Sequence, residues 1–250
     1  TLIIFFNKNI MVKIFSLVIV FKPFQWYDRR KKRRKCFMKK HIVCFGDSNT
    51  HGYCAETGGR FSEKERWTCL LQELLGTEYL VLEEGLSGRT CCFPDPLYEG
   101  LNGLDSIYPC LMSHEPVDLL VIMLGTNDTK ERFGASSACI ALGLKRLIEK
   151  ARSISDCWRN GPNILIVTPK NIDPEYAGSS VGKTMGRGCA EKSAGLGSEY
   201  EKIALLTGCR YFDANTVVTE NNHIDFMHLT AQGHRELAEA LAKQIPCLIP

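Results

Sequence analysis

Val117-Asp118-Leu119-Leu120-Val121-Ile122-Met123-Leu124-Gly125-Thr126-Asn127-Asp128 is the most strand-like stretch of the chain. Its nearly unbroken apolar run suits a central parallel strand covered on both faces. The run stops abruptly at a polar turn, Gly125 to Asp128. His41-Ile42-Val43-Cys44-Phe45-Gly46-Asp47-Ser48-Asn49-Thr50 has the same form, a short β-forming run cut off by turn residues. In open α/β sheets, ligands bind at the carboxyl ends of the strands. Ser48, delivered to such an end, is a candidate nucleophile, although a serine there also serves as a turn residue or helix cap.

Outward from these two runs the pattern alternates. Shorter strands are expected at 79–82, 163–168 and 211–213, the middle one ended by Pro169. Helical spacing runs over 61–75, closed by Gly76, over 102–114, capped by Asn102, and over 138–151. It returns over 191–206, interrupted by Gly195 and Gly197, and over 230–242, capped by Thr230. Residues 53–60 and 83–100 read as loops, and 170–190 as an irregular Gly/Ser-rich segment able to act as a lid. Strands alternating with helices imply one doubly wound α/β domain, a flavodoxin-like three-layer α/β/α fold with a parallel sheet of about five strands. The order 2-1-3-4-5 makes strands one and three neighbours at the switch point, so Ser48 and Asn127 would face one crevice.

Composition is that of an ordinary globular chain, 44% apolar and 24% charged, but charge is unevenly divided. Residues 1–40 carry twelve Lys/Arg against Asp28 alone, which leaves residues 41–250 at −8 within a chain of net +3. The leader holds an apolar run, Ile10 to Phe21, and a basic run, Arg29 to Lys35. The apolar run is shorter than the ~20 residues of a membrane-spanning helix, and no cleavage-site pattern follows it. Met38 stands directly before the first strand, so residues 1–37 are expected to be upstream sequence or a poorly ordered extension. The domain is then 38–250. A membrane or polyanion anchor is the other reading of the basic run. Twelve cysteines without a CxxC pair point to reduced thiols in a cytoplasmic protein. No Cys/His cluster at ligand spacing is visible, so no metal is expected.

A serine hydroxyl needs a base, usually a histidine oriented by a carboxylate. Of six histidines, His228 in Asp225-Phe226-Met227-His228 lies in a loop ahead of the last helix, where Asp225 and His228 can both reach the carboxyl edge of the sheet. Acyl transfer further needs donors for a developing oxyanion. Gly88, in the loop after the second strand, allows close backbone approach, and Asn127 offers a side-chain amide. Asp47, Tyr53, Phe93, Phe133, Phe226 and Met227 are candidates for the substrate pocket.

Gly46-Asp47-Ser48-Asn49, Gly88 in Ser87-Gly88-Arg89-Thr90, Gly125-Thr126-Asn127-Asp128 and Asp225-Phe226-Met227-His228 resemble the four sequence blocks of the SGNH hydrolases, the GDSL-type esterases and lipases. They occur in that family's order over residues 39–245. The runs Cys44 to Tyr53, Gly58 to Phe61, Arg66-Trp67 and Glu83 to Leu86 resemble its arylesterase-like branch, with Ser87 standing where relatives often carry asparagine. The resemblance implies a serine esterase acting on small acyl or aryl esters through Ser48, His228 and Asp225. The oxyanion hole would be the Ser48 and Gly88 N–H groups with the Asn127 amide, and neither cofactor nor metal is implied. The same site in a relative would serve a carbohydrate O-deacetylase, a thioesterase or lysophospholipase, or an acyltransferase. A non-catalytic binding protein tethered through its leader is the reading from another class. Small-molecule esters are the expected partners, with no nucleic acid, membrane contact only through the leader, and self-association by analogy.

Overall fold

The computed structural model describes residues 38–249, so the expectations for the leader fall outside the described residues. In chain order the elements are β1 (Lys40–Gly46), α1 (Ser48–His51), β2 (Tyr53–Cys54), β3 (Gly59–Arg60), α2 (Trp67–Leu75), β4 (Tyr79–Gly85) and α3 (Gly103–Ser113). They continue with β5 (Leu119–Met123), α4 (Ser137–Ser153), β6 (Ile164–Thr168), α5 (Gly182–Met185), α6 (Cys189–Ala194), α7 (Leu196–Thr207), β7 (Arg210–Asp213) and α8 (Ala231–Leu248). The main sheet has five strands in the order β4-β1-β5-β6-β7, every neighbouring pair parallel. Counted within that sheet alone, the order is 2-1-3-4-5, as the alternation implies.

Successive side chains of a strand point to opposite faces, and the two cores follow from that alternation. Leu120, Ile122 and Leu124 enter one core with Val43 and Phe45, beneath α3, α4 and α7. Leu119, Val121 and Met123 enter the other with Ile42 and Cys44, beneath α2 and α8. A central strand buried on both sides has no polar face to show, which is why 119–124 reads as a continuous apolar run. The helices start where their caps lie: the side chains of Asn102, Ser136 and Thr230 accept from the N–H groups of Leu104, Cys139 and Gly233.

Five local expectations shift, the first being that the second strand of the sheet runs on through Glu83 and Glu84 to Gly85, into the stretch expected to be loop. Residues 61–66 are not helical, because Arg66 is held extended while its guanidinium pairs with Glu83 at 3.0 Å; α2 begins only at Trp67. The segment 53–60 is a small antiparallel hairpin, Tyr53 opposite Arg60, rather than a plain loop. The 170–190 segment folds into a 3₁₀ turn at Pro174–Gly178, then α5 and the start of α6, around a satellite core of Ile172, Tyr176, Met185 and Cys189. The last helix runs on through Pro246 to Leu248, past the expected end at residue 242. Among the described residues, the eleven cysteines are free and no helix is long and apolar enough to cross a membrane.

Candidate active site

Gly46 ends β1 in a space no side chain can enter, since a Cβ there would lie 2.0 Å from Thr50 Oγ1 and 2.9 Å from the Met123 carbonyl. The chain turns at Asp47, whose carboxylate caps α1 by accepting from Asn49 N–H at 3.0 Å. Ser48 is therefore the first residue of a one-turn helix set on the carboxyl edge of the sheet. It is 6% exposed.

The loop ahead of α8 brings an imidazole to this serine. His228 Nε2 lies 2.8 Å from Ser48 Oγ, and His228 Nδ1 lies 2.7 Å from Asp225 Oδ2. A proton on Nδ1 facing the carboxylate leaves Nε2 to accept from the serine hydroxyl. The other Asp225 oxygen accepts from the Met227 and His228 N–H groups at 3.1 Å and from the Asn222 amide at 2.8 Å. Burial works against the Asp225 carboxylate, but the His228 ring and these donors outweigh it and hold the acid down at about 2. The loop closes this tightly because Phe226 adopts a left-handed backbone, φ 63°, which non-glycine residues seldom adopt.

Asn49 joins the two ends of the chain. Its Oδ1 accepts from Leu229 N–H at 2.9 Å and its amide donates to the Met227 carbonyl at 3.3 Å. The Tyr53 ring, delivered by the hairpin, lies 4.6 Å from the His228 ring. Both contacts fix the imidazole against the serine.

Asn127 follows β5 at the neighbouring strand end and donates to Asp47 Oδ2 at 3.4 Å. Gly88 has φ 91°, and a Cβ there would meet Leu101 at 2.9 Å. Only glycine satisfies both demands. Ser48, Gly88, Asn127 and His228 open on one cleft of about 240 Å³. Tyr53 and Met227 line it too, with Ser87 and Lys130, and Ser180, Val181, Thr184 and Met185 supply the opposite wall. The 170–190 segment thus contributes to the cleft as a packed wall.

Asp47 lies beneath Ser48 and does not line the cleft. Phe93 stacks on Phe133, with 5.7 Å between ring centroids, and packs against the core under α4. Phe226 packs against the satellite core. None of these three phenylalanines lines the cleft. An aromatic residue near a motif is as readily drawn into a core as into a pocket, and spacing does not distinguish the two. Asn49, quoted within its block, was given no role, and Asn222, three residues before Asp225, was missed. Lys130, three residues after Asn127, was missed as well.

Burial raises two carboxyls here: Asp47 to about 6 and Asp128 to about 7. Asp128 accepts from Cys91 N–H at 2.8 Å through one oxygen, and its other oxygen has no partner. A nucleophile hydrogen-bonded to an imidazole, a carboxylate behind it and amide donors beside it are suited to acyl transfer.

No curated protein matches the chain. Among solved structures, the M. smegmatis aryl esterase is 35% identical, covering 84% of this chain and 99% of that one, with a TM-score of 0.76. Est24, a carbohydrate acetylesterase from Sinorhizobium meliloti, is 33% identical over 84% of this chain and 100% of that one, TM-score 0.76. The lipase/acylhydrolase from Enterococcus faecalis, 18% identical over 84% of this chain and 97% of that one, shares the fold at a TM-score of 0.64. The GDSL-like lipase/acylhydrolase family model matches residues 44–236, a span that holds every group just placed around the cleft. By that match and by its likeness to these esterases, the chain belongs to the GDSL-like lipase/acylhydrolase family and is a carboxylic ester hydrolase.

Proposed function

We propose that this enzyme hydrolyses short-chain acyl esters through an acyl-enzyme on Ser48. The observation that carries the reading is the continuous chain Asp225–His228–Ser48, two contacts of 2.7 and 2.8 Å. Ser48 Oγ attacks the ester carbonyl carbon as its proton passes to His228 Nε2. Asp225 holds the ring in the tautomer that can accept it and stabilises the imidazolium. The carbonyl oxygen, now anionic, is received by the Ser48 and Gly88 N–H groups and the Asn127 amide. Collapse expels the alcohol, protonated by His228, and leaves the acyl group on Oγ. Water then repeats the sequence with His228 as base, releasing the acid and restoring the serine.

A cleft of about 240 Å³ walled by Val181, Met185 and Met227 favours a small acyl group. Ser48→Ala should lower p-nitrophenyl acetate hydrolysis about 10⁴–10⁶-fold in kcat, with the near-ultraviolet circular dichroism unchanged. A rate equal to the parent would refute the assignment of Ser48.

A second reading, removal of acetyl groups from a carbohydrate, is favoured by the hydroxyl and ammonium groups of Ser87, Lys130, Ser180 and Thr184 around the cleft. The likeness to Est24 supports it as well. Rates on an acetylated sugar and on acetyl, butyryl and octanoyl p-nitrophenyl esters separate the two.

A further inference from the structure

We propose that Glu84, Cys110 and His114 form a zinc(II) site that pins α3 to the edge strand of the main sheet. A carboxylate oxygen, a thiol sulfur and an imidazole nitrogen, one from each residue, all lie within 4.8 Å of one another. Cys110 and His114 stand four residues apart at the end of α3, so both project from one face of the helix. Glu84 comes from β4, which lies at the edge of the sheet.

Strand alternation explains why Glu84 is available. Glu83 points to the α2 side, where Arg66 at 3.0 Å and the Thr68 hydroxyl take up its carboxylate. Glu84 points to the opposite face, where His114 Nε2 meets its Oε1 at 2.6 Å. Arg89 engages the backbone carbonyl of Glu84 and leaves the side chain to the cluster. Separation along the chain hid the trio, since its carboxylate comes from a strand and its other two members from the helix that follows.

The donor set is that of zinc. Thiolate and imidazole select a borderline-soft ion, and magnesium or calcium would want oxygen alone. Tetrahedral coordination with zinc–ligand distances near 2.0 Å places nitrogen and oxygen about 3.3 Å apart, so the His114–Glu84 contact widens by a side-chain rotation to admit the ion. Cys110 is 9% exposed, whereas the Glu84 and His114 side chains are 29% and 24% exposed. The ion can therefore enter from solvent, and a water completes the fourth position. On binding, the Cys110 thiol gives its proton to solvent and its sulfur bonds zinc, while the proton shared by His114 Nε2 and Glu84 moves to Nδ1 or leaves to solvent, so that Nε2 and a Glu84 oxygen each bond the metal.

Three protein ligands with an open position also describe catalytic zinc, but these residues do not line the ester cleft. The role assigned is structural: Glu84 adjoins Gly85 and the loop that carries Gly88, and the ion would tie that loop's root to a helix. The proposal does not depend on the triad.

The test uses the full chain, reduced and stripped of metal, titrated with cobalt(II) as a reporter for zinc. One equivalent should produce a thiolate-to-cobalt charge-transfer band in the near ultraviolet. Zinc should displace it and raise the melting temperature. Cys110→Ser should abolish the band, and Glu84→Gln should weaken cobalt binding at least about tenfold. A Cys139→Ser/Cys247→Ser double variant, which removes exposed thiols, should keep the band. Ester hydrolysis by each variant reports that it is folded. Absence of the band in the parent overturns the proposal, as does its persistence in Cys110→Ser. Should Cys110→Ser fail to fold, Glu84→Gln decides: cobalt affinity equal to the parent's overturns the site.

Discussion

At the scale of single residues, Asn127 gives the sharpest test of the oxyanion assignment. Its amide donates to buried Asp47 and lines the same cleft as Ser48, so truncation removes a donor that is already oriented. Asn127→Ala should lower kcat by about 10²–10³-fold with KM little changed, measured on p-nitrophenyl acetate. An effect confined to KM would move Asn127 to substrate binding. Residues were also where reading the sequence served best and worst. Ser48, Gly88, Asn127, Asp225 and His228 stand in motifs whose residue types follow from chemistry; four of them open on one cleft, and Asp225 lies behind it against His228. Asn49 supports that arrangement through hydrogen bonds to backbone groups and Asn222 through one to the Asp225 carboxylate, and no pattern of residue types announces such bonds in advance. Phe93, Phe133 and Phe226 illustrate the opposite error, because proximity to a motif says nothing about which way a ring points.

At the scale of elements, α5 and the residue before it offer the test of selectivity. Val181 and Met185 face the cleft from a segment that is packed around its own small core. Val181 is half-buried, so shortening it opens the wall with little loss of packing. Val181→Ala should raise the ratio of kcat/KM for butyrate over acetate esters about tenfold. An unchanged ratio would place Val181 on the alcohol side of the scissile bond. This wall was invisible beforehand: Gly182, Gly186 and Gly188 lower helical propensity, and the short helices exist because Tyr176, Met185 and Cys189 find one another in three dimensions. The strands, by contrast, were legible because burial on both faces leaves an unbroken apolar run. The hairpin of β2 and β3 was not, since two-residue strands carry no period to read.

At the scale of the whole molecule, buried carboxyls make stability depend on pH in two opposing ways. The Asp225 acid is depressed to about 2, so its contribution is present above the ordinary carboxylate range and is lost as pH falls from about 4 toward 2. Asp47 and Asp128 are raised, to about 6 and 7, so the folded state holds protons that the unfolded chain has already released. Their contribution is therefore fully present below about 4 and declines as pH rises through 6 and 7. Buried His234, held down at about 3, adds an opposing rise that ends near 6.5, so urea unfolding midpoints should fall between pH 6.5 and 8, and Asp128→Asn should flatten that fall. A midpoint that rises with pH over this range in the parent would reverse the sign.

The clamp made by Asn49 has one more consequence, for the order in which the protein comes into being. Ser48 and His228 lie 180 positions apart, and the loop carrying His228 is anchored by the Asn49 side chain, next to Ser48. A growing chain on the ribosome therefore holds Ser48, the Asn127 amide and all five strands of the main sheet before the loop carrying His228 has been made. On the proposed triad, hydrolytic power arrives late and all at once, when that loop docks and the molecule closes its own circuit.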